Sequence, residues 1–392
     1  MSKMNEGKGV TGNGGLCVLA ILLRESGNEM LWGSELSFLE LANSLEKIGT
    51  RVCAVESSPS RLISRSPRFR TFELRRIRFL PFRLLGFTVG AIRICQNHRC
   101  NVIYVHANYW FESVFVGLAT SLVTRKRMFL GVLDRFKEGE DRLSTFGLLR
   151  SMLFRRPIRS LLFAFARRGA VIRAEACVTT NAIVAEYAAS ALHARKTVDI
   201  GRGISDVFFS HCETEVEYDA CFAGRISTNK GIPELLQAWQ EVVKAHPYAK
   251  LGLAGSGVEQ PAMESLSRNL GILESVRFLG YFSDTESLHR FYLSAKLFVF
   301  LSRREGFARA VSEAMASGIP CIVSDLPELR AVYEGQPVYV GIGDSNALAS
   351  AILRLLDDPA KRERMSRSGS LFAKRYTWER SATMLASAMQ TA

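Results

Sequence analysis

The stretch LFVFLSRREGFARAVSEAMASGIPCIVSD, residues 297–325, has the pattern of a strand, a turn, a helix and a second strand. It opens with a continuous apolar run, and Gly318 with Pro320 marks the end of the helical segment. Continuous apolar runs, rather than alternating ones, are typical of parallel strands that helices cover on both faces. The stretch therefore predicts an α/β fold with a parallel sheet.

The same alternation of short apolar runs and helical segments continues through the chain. A first set of apolar runs occupies residues 16–23, 52–56, 102–106, 128–133 and 177–180. A second set occupies residues 219–224, 250–255, 276–280, 297–302, 320–324 and 337–340. Because 392 residues exceed what one hydrophobic core usually serves, we predict two doubly wound, Rossmann-like domains that face each other across a cleft.

The boundary between the domains is predicted where the helical periodicity lapses. Residues 201–220 are polar and acidic, and a new apolar run follows them. We predict an N-terminal domain over residues 1–205, a C-terminal domain over 206–375 and a terminal helix over 376–392. In sheets of this kind, ligands bind at the carboxyl ends of the strands.

Two glutamates in the opening stretch point to a polar ligand. Glu305 lies in the turn after the strand, and Glu313 lies in an apolar helix. A buried carboxylate needs hydrogen-bond donors, and sugar hydroxyls are such donors. Alternatively, Glu313 lies at the solvent edge of the helix. The helix N-terminus near Phe307 and Ala308 would direct backbone N–H groups towards phosphate oxygens.

Two cations follow the run at residues 219–224. Arg225 and Lys230 lie in the loop before a helix, and Pro233 suits the first turn of that helix. Charge-assisted donors beside the positive end of a helix suit a diphosphate group. Taken alone, the two side chains could equally be solvated loop cations.

These motifs occur together and in a fixed order. They are FAGRISTNKGIPELLQAW at 222–239, LGLAGSG at 251–257, the segment from VRFLG to IVSD at 276–325, and YTWERSA at 376–382. Through them the chain resembles the retaining glycosyltransferases of the two-domain GT-B fold, in particular their fourth sequence family, the glycosyl transferases group 1. A fainter match lies at residues 32–52. The resemblance implies that the terminal helix returns to the N-terminal domain.

The resemblance also implies a role for each matching residue. Arg225 and Lys230 would hold the donor diphosphate, Glu305 would contact the donor sugar, Glu313 would take the ribose hydroxyls, and residues around Phe278 would flank the base. The donor-binding set implied in full is Gly33, Gly224, Arg225, Lys230, Gly255, Gly257, Phe278, Leu279, Glu305, Gly306, Phe307, Ala308, Arg309 and Glu313.

The chemistry that the resemblance implies is transfer with retention. The acceptor would attack from the front face, and the leaving diphosphate would take the acceptor's proton, so placed charges matter more than a protein base. Glu305, Arg225 and Lys230 are the candidate catalytic residues in this half. No metal and no other cofactor are expected, and no Asp-x-Asp motif occurs. A glycosidase-like carboxylate pair is the competing mechanism, which nothing in the sequence favours.

The N-terminal half departs from the family pattern at two places. Gly33 takes the position of a glycine-rich phosphate loop, but Trp32 replaces one expected glycine, and an ordinary helix start is the alternative interpretation. His106 and Asp134 are candidate catalytic residues on the acceptor side. Leu133 stands where many relatives carry a histidine before the aspartate.

The excess positive charge lies in one part of the chain. The formal net charge is +13, and residues 51–200 hold 26 basic and 10 acidic side chains. Arginines are interleaved with Phe, Leu and Ile at 61–83 and 148–173, and a further basic run lies at 124–127, a pattern that suits an anionic membrane surface. An ordinary solvated face is an alternative. A nucleic-acid partner is not expected, because no helix-turn-helix or finger pattern appears.

The cysteines and the N-terminus indicate the compartment. The eight cysteines are scattered, several of them within apolar runs, which predicts reduced core residues. Cys95, His98 and Cys100 in CQNHRC could be zinc ligands, but no second half follows them, so an ordinary helix end is predicted. No signal-like or membrane-spanning apolar stretch occurs, which predicts a cytoplasmic protein, peripheral on the inner face of the membrane.

The features combine into one predicted function and its rivals. The predicted function is a retaining, metal-independent glycosyltransferase of cell-envelope glycan biosynthesis, which moves a sugar from a nucleotide-diphosphate sugar to a glycan or lipid-linked acceptor. A non-catalytic nucleotide-sugar-binding protein and a nucleotide-sugar epimerase are the alternatives. A dehydrogenase is disfavoured, because GNGG at 12–15 precedes the first strand instead of following it.

Overall fold

The computed structural model describes residues 15–22, 33–56, 70–73, 80–107, 111–133 and 157–391. The chain divides into two compact units. Unit 1 comprises residues 1–203 and 378–392, and unit 2 comprises residues 204–377. Each unit is built on its own parallel sheet, as predicted.

Unit 1 contains a seven-stranded sheet with the order β3-β2-β1-β4-β5-β6-β7. Its strands are β1 Cys17–Leu22, β2 Arg51–Glu56, β3 Arg70–Glu73, β4 Val102–Ala107, β5 Arg127–Val132, β6 Ala176–Thr179 and β7 Thr197–Asp199. Its first helices are α1 Gly33–Lys47, α2 Leu80–Asn97, α3 Phe111–Thr124, α4 Pro157–Arg173 and α5 Ala182–Ser190. The sequence prediction missed β3 and β7, because these edge strands are short and carry polar residues.

The sheet of unit 1 is buried on both faces. Alternate residues of β1 enter different clusters, with Cys17 and Leu19 in one and Val18 and Ala20 in the other. Residues of α2, α3 and α4 complete the first cluster, and residues of α1 complete the second. This two-sided burial explains why the strands are continuously apolar.

Unit 2 contains a six-stranded sheet with the order β10-β9-β8-β11-β12-β13. Its strands are β8 Ala220–Ala223, β9 Leu251–Ala254, β10 Val276–Gly280, β11 Phe298–Phe300, β12 Cys321–Ser324 and β13 Val338–Val340. Its helices are α6 Ile232–Ala245, α7 Gln260–Asn269, α8 Thr285–Leu293, α9 Arg309–Ala316, α10 Pro327–Tyr333, α11 Ser345–Leu356 and α12 Pro359–Ala373. Each of the six runs predicted in this half contains one of these strands.

The strand order of unit 2 reverses at β8, which lies between β9 and β11. The loops that leave the carboxyl ends of β8 and β11 therefore begin side by side at one edge of the sheet. This switch point is where doubly wound sheets bind ligands.

The last helix, α13 Trp378–Thr391, packs in unit 1. Leu385 and Met389 join the cluster on the α1 face of the sheet, and Ser381 Oγ donates a 2.8 Å hydrogen bond to the Ile200 carbonyl. A Cβ atom at Gly203 would lie 2.4 Å from the Trp378 backbone nitrogen, so only glycine fits where the chain passes this helix. Among the described helices, none is long and apolar enough to cross a bilayer.

Candidate functional site

An ion pair joins the two loops at the switch point of unit 2. Lys230, in the loop after β8, pairs with Glu305, in the loop after β11. Lys230 Nζ also lies 3.4 Å from Ser302 Oγ and 5.2 Å from the centre of the Phe300 ring. The Lys230 and Glu305 side chains are 22% and 15% exposed, so both are shielded but accessible. The structure thus brings together two residues that are 75 positions apart in the sequence.

A tight turn fixes the position of Lys230. Gly231 has φ +68°, and a Cβ atom there would lie 2.3 Å from the Leu301 carbonyl oxygen. The Arg303 N–H donates to the Asn229 carbonyl at 2.9 Å. Because the turn lies directly on the end of β11, the Lys230 backbone cannot move far from Glu305.

The glycines that were predicted to lie beside the nucleotide allow the loops after β8 and β9 to approach each other closely. A Cβ atom at Gly255, which has φ +130°, would lie 1.8 Å from the Gly224 carbonyl oxygen. A Cβ atom at Gly257 would lie 2.0 Å from the Ile226 carbonyl oxygen. The loops after β8 and β9 are also bonded, since the Ile226 N–H donates to the Ser256 carbonyl at 3.1 Å. These glycines let the two backbones lie in direct contact at the sheet edge.

The hydroxyl group of Tyr333 holds the loop after Glu305 in place. Gly306, Phe307 and Ala308 are buried, and Ala308 has φ +54° immediately before α9. Tyr333 Oη lies 2.6 Å from the Phe307 carbonyl oxygen and 2.9 Å from that of Ala308. Burial raises the pKa of Tyr333 well above its ordinary value, so its hydroxyl stays a donor. This contact keeps an uncommon backbone conformation in place at the start of α9.

Glu313 is buried and meets its donors inside the protein. Its side chain is 7% exposed, and its Oε1 lies 2.8 Å from Arg309 Nε. Tyr292 Oη donates to Oε2 at 3.1 Å. Burial and the charge of Glu313 raise the pKa of Tyr292, which keeps that hydroxyl protonated. Each carboxylate oxygen can accept a further bond, so the predicted contact with ribose hydroxyls stays a prediction.

The remaining predicted donor residues lie on the neighbouring strand ends. Arg225 is exposed in the loop directly after β8. On β10, Phe278 packs partly against the core, whereas Leu279 and the following Tyr281 are exposed. Leu279 and Tyr281 are thus exposed apolar side chains at the carboxyl end of β10, and the predicted contact of this strand with a base stays a prediction.

Comparison with known proteins shows what unit 2 is similar to. Residues 205–371 match the family model described as Glycosyl transferases group 1. Unit 2 is therefore similar to this family over almost its whole length. The lipopolysaccharide core biosynthesis glycosyltransferase LpsD of Rhizobium meliloti is 35% identical over 149 residues, which cover 38% of this chain and 41% of that protein.

Solved structures of similar fold extend over both units. The sucrose-phosphate synthase of Thermosynechococcus elongatus has a TM-score of 0.75 at 21% identity, covering 96% of this chain and 98% of that one. Anabaena Alr3699/HepE, solved in complex with UDP-glucose, has a TM-score of 0.75 at 16% identity, covering 96% and 100%. The predicted fold, two Rossmann-like units of the GT-B type, is confirmed.

Unit 1 contains fewer of the candidate residues that the structure describes. Gly33 begins α1, and His106 lies near the carboxyl end of β4, which neighbours β1 at the switch point of this sheet. Asp134 and Trp32 lie outside the described residues. The Leu133 carbonyl accepts a hydrogen bond from Thr180 Oγ1 at 3.2 Å. The predicted roles of Gly33, His106 and Asp134 stay predictions.

Several residues that shape the site of unit 2 were not found from the sequence. Tyr292 and Tyr333 are remote in sequence from the carboxylate and carbonyls that they contact. Glu259, at the start of α7, accepts from the Thr228 N–H at 2.9 Å and so holds the turn that precedes Lys230. No local pattern marks these residues, because their partners are defined only by the packing of separate elements.

Proposed function

We propose that this protein is a retaining glycosyltransferase that moves a sugar from a nucleotide-diphosphate sugar to a glycan or lipid-linked acceptor at the cytoplasmic face of the membrane. The observation that carries this proposal is the Lys230–Glu305 pair at the switch point of a unit that is similar to the glycosyl transferases group 1 family. The Anabaena structure holds UDP-glucose on the same fold, so UDP-sugars are the first donors to test.

The pair suggests how the donor exchanges charge partners. Without donor, Glu305 neutralises Lys230. A diphosphate that binds Lys230 and Arg225 would replace that carboxylate with phosphate oxygens. Glu305 would then be free to accept hydrogen bonds from the donor sugar. Binding of the diphosphate and recognition of the sugar would therefore be coupled through one side chain.

The proposed transfer depends mainly on charged groups positioned around the leaving diphosphate. The bond from the anomeric carbon to the diphosphate oxygen breaks, and a bond to the acceptor oxygen forms on the same face. The acceptor proton passes to the leaving diphosphate, so no protein base is required. Lys230, Arg225 and the first-turn N–H groups of α9 would stabilise the developing dianion, without a metal ion.

The membrane part of the proposal is supported by an exposed apolar face on unit 1. We define the α2–α4 face by Phe82, Leu85, Val89, Phe115, Leu122, Val123, Phe165 and Ile172, which are all at least one-third exposed. A groove of about 400 Å³ between α3 and α4 lies within it, lined by Leu118, Leu122, Gly169, Ile172, Arg173 and Arg195. Apolar side chains beside arginines suit the boundary between acyl chains and anionic headgroups.

Titration calorimetry with UDP, GDP, ADP and their sugar conjugates tests the donor site. One nucleotide family should bind, and Lys230→Ala should weaken that binding at least tenfold. Lys244→Ala is the matched control, because Lys244 forms an exposed pair with Glu241 in the same unit. Binding that is unchanged by Lys230→Ala, or no binding by folded protein, would contradict the proposed site.

An assay with purified donor separates the rival functions. Transfer to a lipid-linked glycan supports the proposal, and Glu305→Gln should then abolish transfer while leaving nucleotide binding within a few-fold. Conversion of the donor without any acceptor would indicate an epimerase. Binding with neither transfer nor conversion would indicate a binding protein.

Vesicle co-sedimentation tests the membrane surface. Binding should rise with the fraction of phosphatidylglycerol and fall with salt. The double variant Leu122→Ser/Ile172→Ser should bind less, whereas Leu371→Ser should bind normally, since Leu371 is an equally exposed leucine in unit 2. Equal binding by all three proteins would remove the α2–α4 face from the proposal.

A further inference from the structure

Three cysteine thiols meet at the amino-terminal edge of the unit 1 sheet. Cys17 begins β1, Cys53 lies in β2, and Cys100 precedes β4. The Sγ atoms of this thiol cluster all lie within 4.8 Å of one another, and those of Cys17 and Cys100 are 3.6 Å apart. The three residues are 1%, 4% and 0% exposed. In the described part of the chain, this is the one group of three or more His, Cys, Asp or Glu side chains whose ligand atoms lie so close together.

The fold supplies the second group of metal ligands, which the sequence around CQNHRC lacks. CQNHRC was interpreted as an ordinary helix end, because no second group of ligands follows it. The second group precedes it in the chain, since β1 and β2 are hydrogen-bonded neighbours and bring Cys17 and Cys53 to the same face of the sheet. A local motif and two separate strands thus combine at one point.

Backbone contacts hold Cys100 against Cys17. Asn101 Oδ1 accepts from the Cys17 N–H at 2.9 Å, and the Asn101 N–H donates to the Cys17 carbonyl at 2.8 Å. The Cys100 N–H donates to the Cys95 carbonyl at 2.9 Å, which closes the turn after α2. Arg99 takes φ +50° within this turn. The cluster is therefore fixed by three elements rather than by one flexible loop.

The spacing of the sulfurs fits one shell around a soft metal ion. Metal–sulfur bonds of about 2.3 Å place sulfurs of the same shell roughly 4 Å apart. Thiolates select thiophilic ions such as Zn²⁺ and Cu⁺. Cys95 is a fourth sulfur nearby, since its Sγ lies 3.9 Å from the Cys100 carbonyl oxygen.

We propose that Cys17, Cys53 and Cys100 bind one thiophilic metal ion, Zn²⁺ or Cu⁺, at the edge of the unit 1 sheet opposite the carboxyl ends of its strands. Each thiol releases its proton to solvent, and three metal–sulfur bonds form without any change of oxidation state. Three thiolates with Zn²⁺ carry one net negative charge. Arg51 is the residue of β2 that pairs with Cys17 of β1. The backbone of a basic residue is therefore fixed beside the site. The ion would tie β1, β2 and the α2–β4 turn together.

The site is tested on the full chain with metals supplied one at a time. Reduced protein is loaded with Zn²⁺ or Cu⁺, desalted, and assayed for metal by mass spectrometry. Titration with Co²⁺ provides an optical probe, because cobalt–thiolate coordination gives an intense near-ultraviolet charge-transfer band. We expect one equivalent of bound metal and a band whose intensity corresponds to three thiolates.

Serine and alanine variants test whether the bound metal is held by the thiol cluster. Cys17→Ser, Cys53→Ser and Cys100→Ser, and the corresponding alanine variants, should each reduce affinity at least tenfold. Cys177→Ser is the matched control, because Cys177 is equally buried in β6 of the same sheet and should keep the full equivalent. Circular dichroism selects the variants that fold, and any one folded cluster variant is sufficient for the comparison.

Three results would overturn the proposal. The first is reduced, folded protein that retains none of the three metals. The second is equal metal binding by the cluster variants and the Cys177→Ser control. The third is a Cys17–Cys100 disulfide in protein purified without reductant, with no metal bound after reduction. The second result would indicate an adventitious ion, and the third would indicate a redox-active pair of cysteines.

Discussion

The carboxyl-end edge of unit 2 and the α2–α4 face of unit 1 are two different kinds of surface on units built around the same kind of sheet. At the unit 2 edge, polar groups are fixed by backbones in close contact and by donors such as the buried Tyr333 and the half-buried Arg309. On the α2–α4 face, apolar side chains such as Val123 extend into solvent. The first surface depends on the position of single atoms, whereas the second depends on total area.

The largest effect should come from adding one methyl group at the unit 2 edge. Gly255→Ala places Cβ against the Gly224 carbonyl and should lower the free energy of unfolding by about 3 kcal/mol or more. Gly271→Ala is the control, since Gly271 has φ +72° but nothing within 4 Å of its Cβ position, and should lose only about 1 kcal/mol. Chemical denaturation measures both. Equal losses would mean that the close approach of the two loops does not matter.

The next effect concerns two Arg–Glu pairs of identical helical spacing. Arg309→Ala leaves the buried Glu313 carboxylate without its cation and should lower the free energy of unfolding by about 3 kcal/mol. Arg367→Ala removes the exposed partner of Glu363 and should change it by at most about 0.5 kcal/mol. A double-mutant cycle with Glu313→Gln measures the coupling. Similar values for the two arginines would contradict the role given to burial.

A buried histidine should make unit 2 sensitive to mild acid. Burial lowers the pKa of His289, whose ring nitrogens lie 2.9 Å from Ser317 Oγ and 3.1 Å from the Ser210 carbonyl oxygen. As pH falls below the ordinary histidine pKa of about 6.5, the unfolded chain gains a proton that the folded protein does not. Stability should therefore decrease, with a slope of at most about 1.4 kcal/mol per pH unit, until the pH passes the lower folded pKa.

The histidine prediction is measured from thermal unfolding between pH 7 and pH 5. His289→Gln should flatten the pH dependence, because it removes the group whose folded pKa is lowered. A slope that survives His289→Gln would assign the acid sensitivity to another group.

The smallest effect is expected on the α2–α4 face. Val123→Ser alters a side chain that is 64% exposed and should change the free energy of unfolding by less than about 0.5 kcal/mol. Calorimetric melting measures this change. A loss as large as that of Arg309→Ala would mean that this face is packed against structure rather than available for a surface.

Much of the fold was predictable from local pattern. All six strands of unit 2 and five of the strands of unit 1 coincide with continuous apolar runs. The strands β3 and β7 were missed, because an edge strand needs little apolar character and leaves little trace in the sequence. Pro233 also marked the start of α6 in advance, since backbone conformation limits the residue types there.

The sequence by itself determined the fold class, the position of the switch-point loops and the identity of Lys230 and Glu305 as candidates. Only the tertiary structure decided that these two form a pair, that Arg309 and Tyr292 satisfy Glu313, and that Cys17 and Cys53 complete the group begun by Cys100. The reason is physical. Backbone preference and burial leave a periodic record along the chain, but a contact between distant residues depends on how separate elements pack, and no local pattern encodes it.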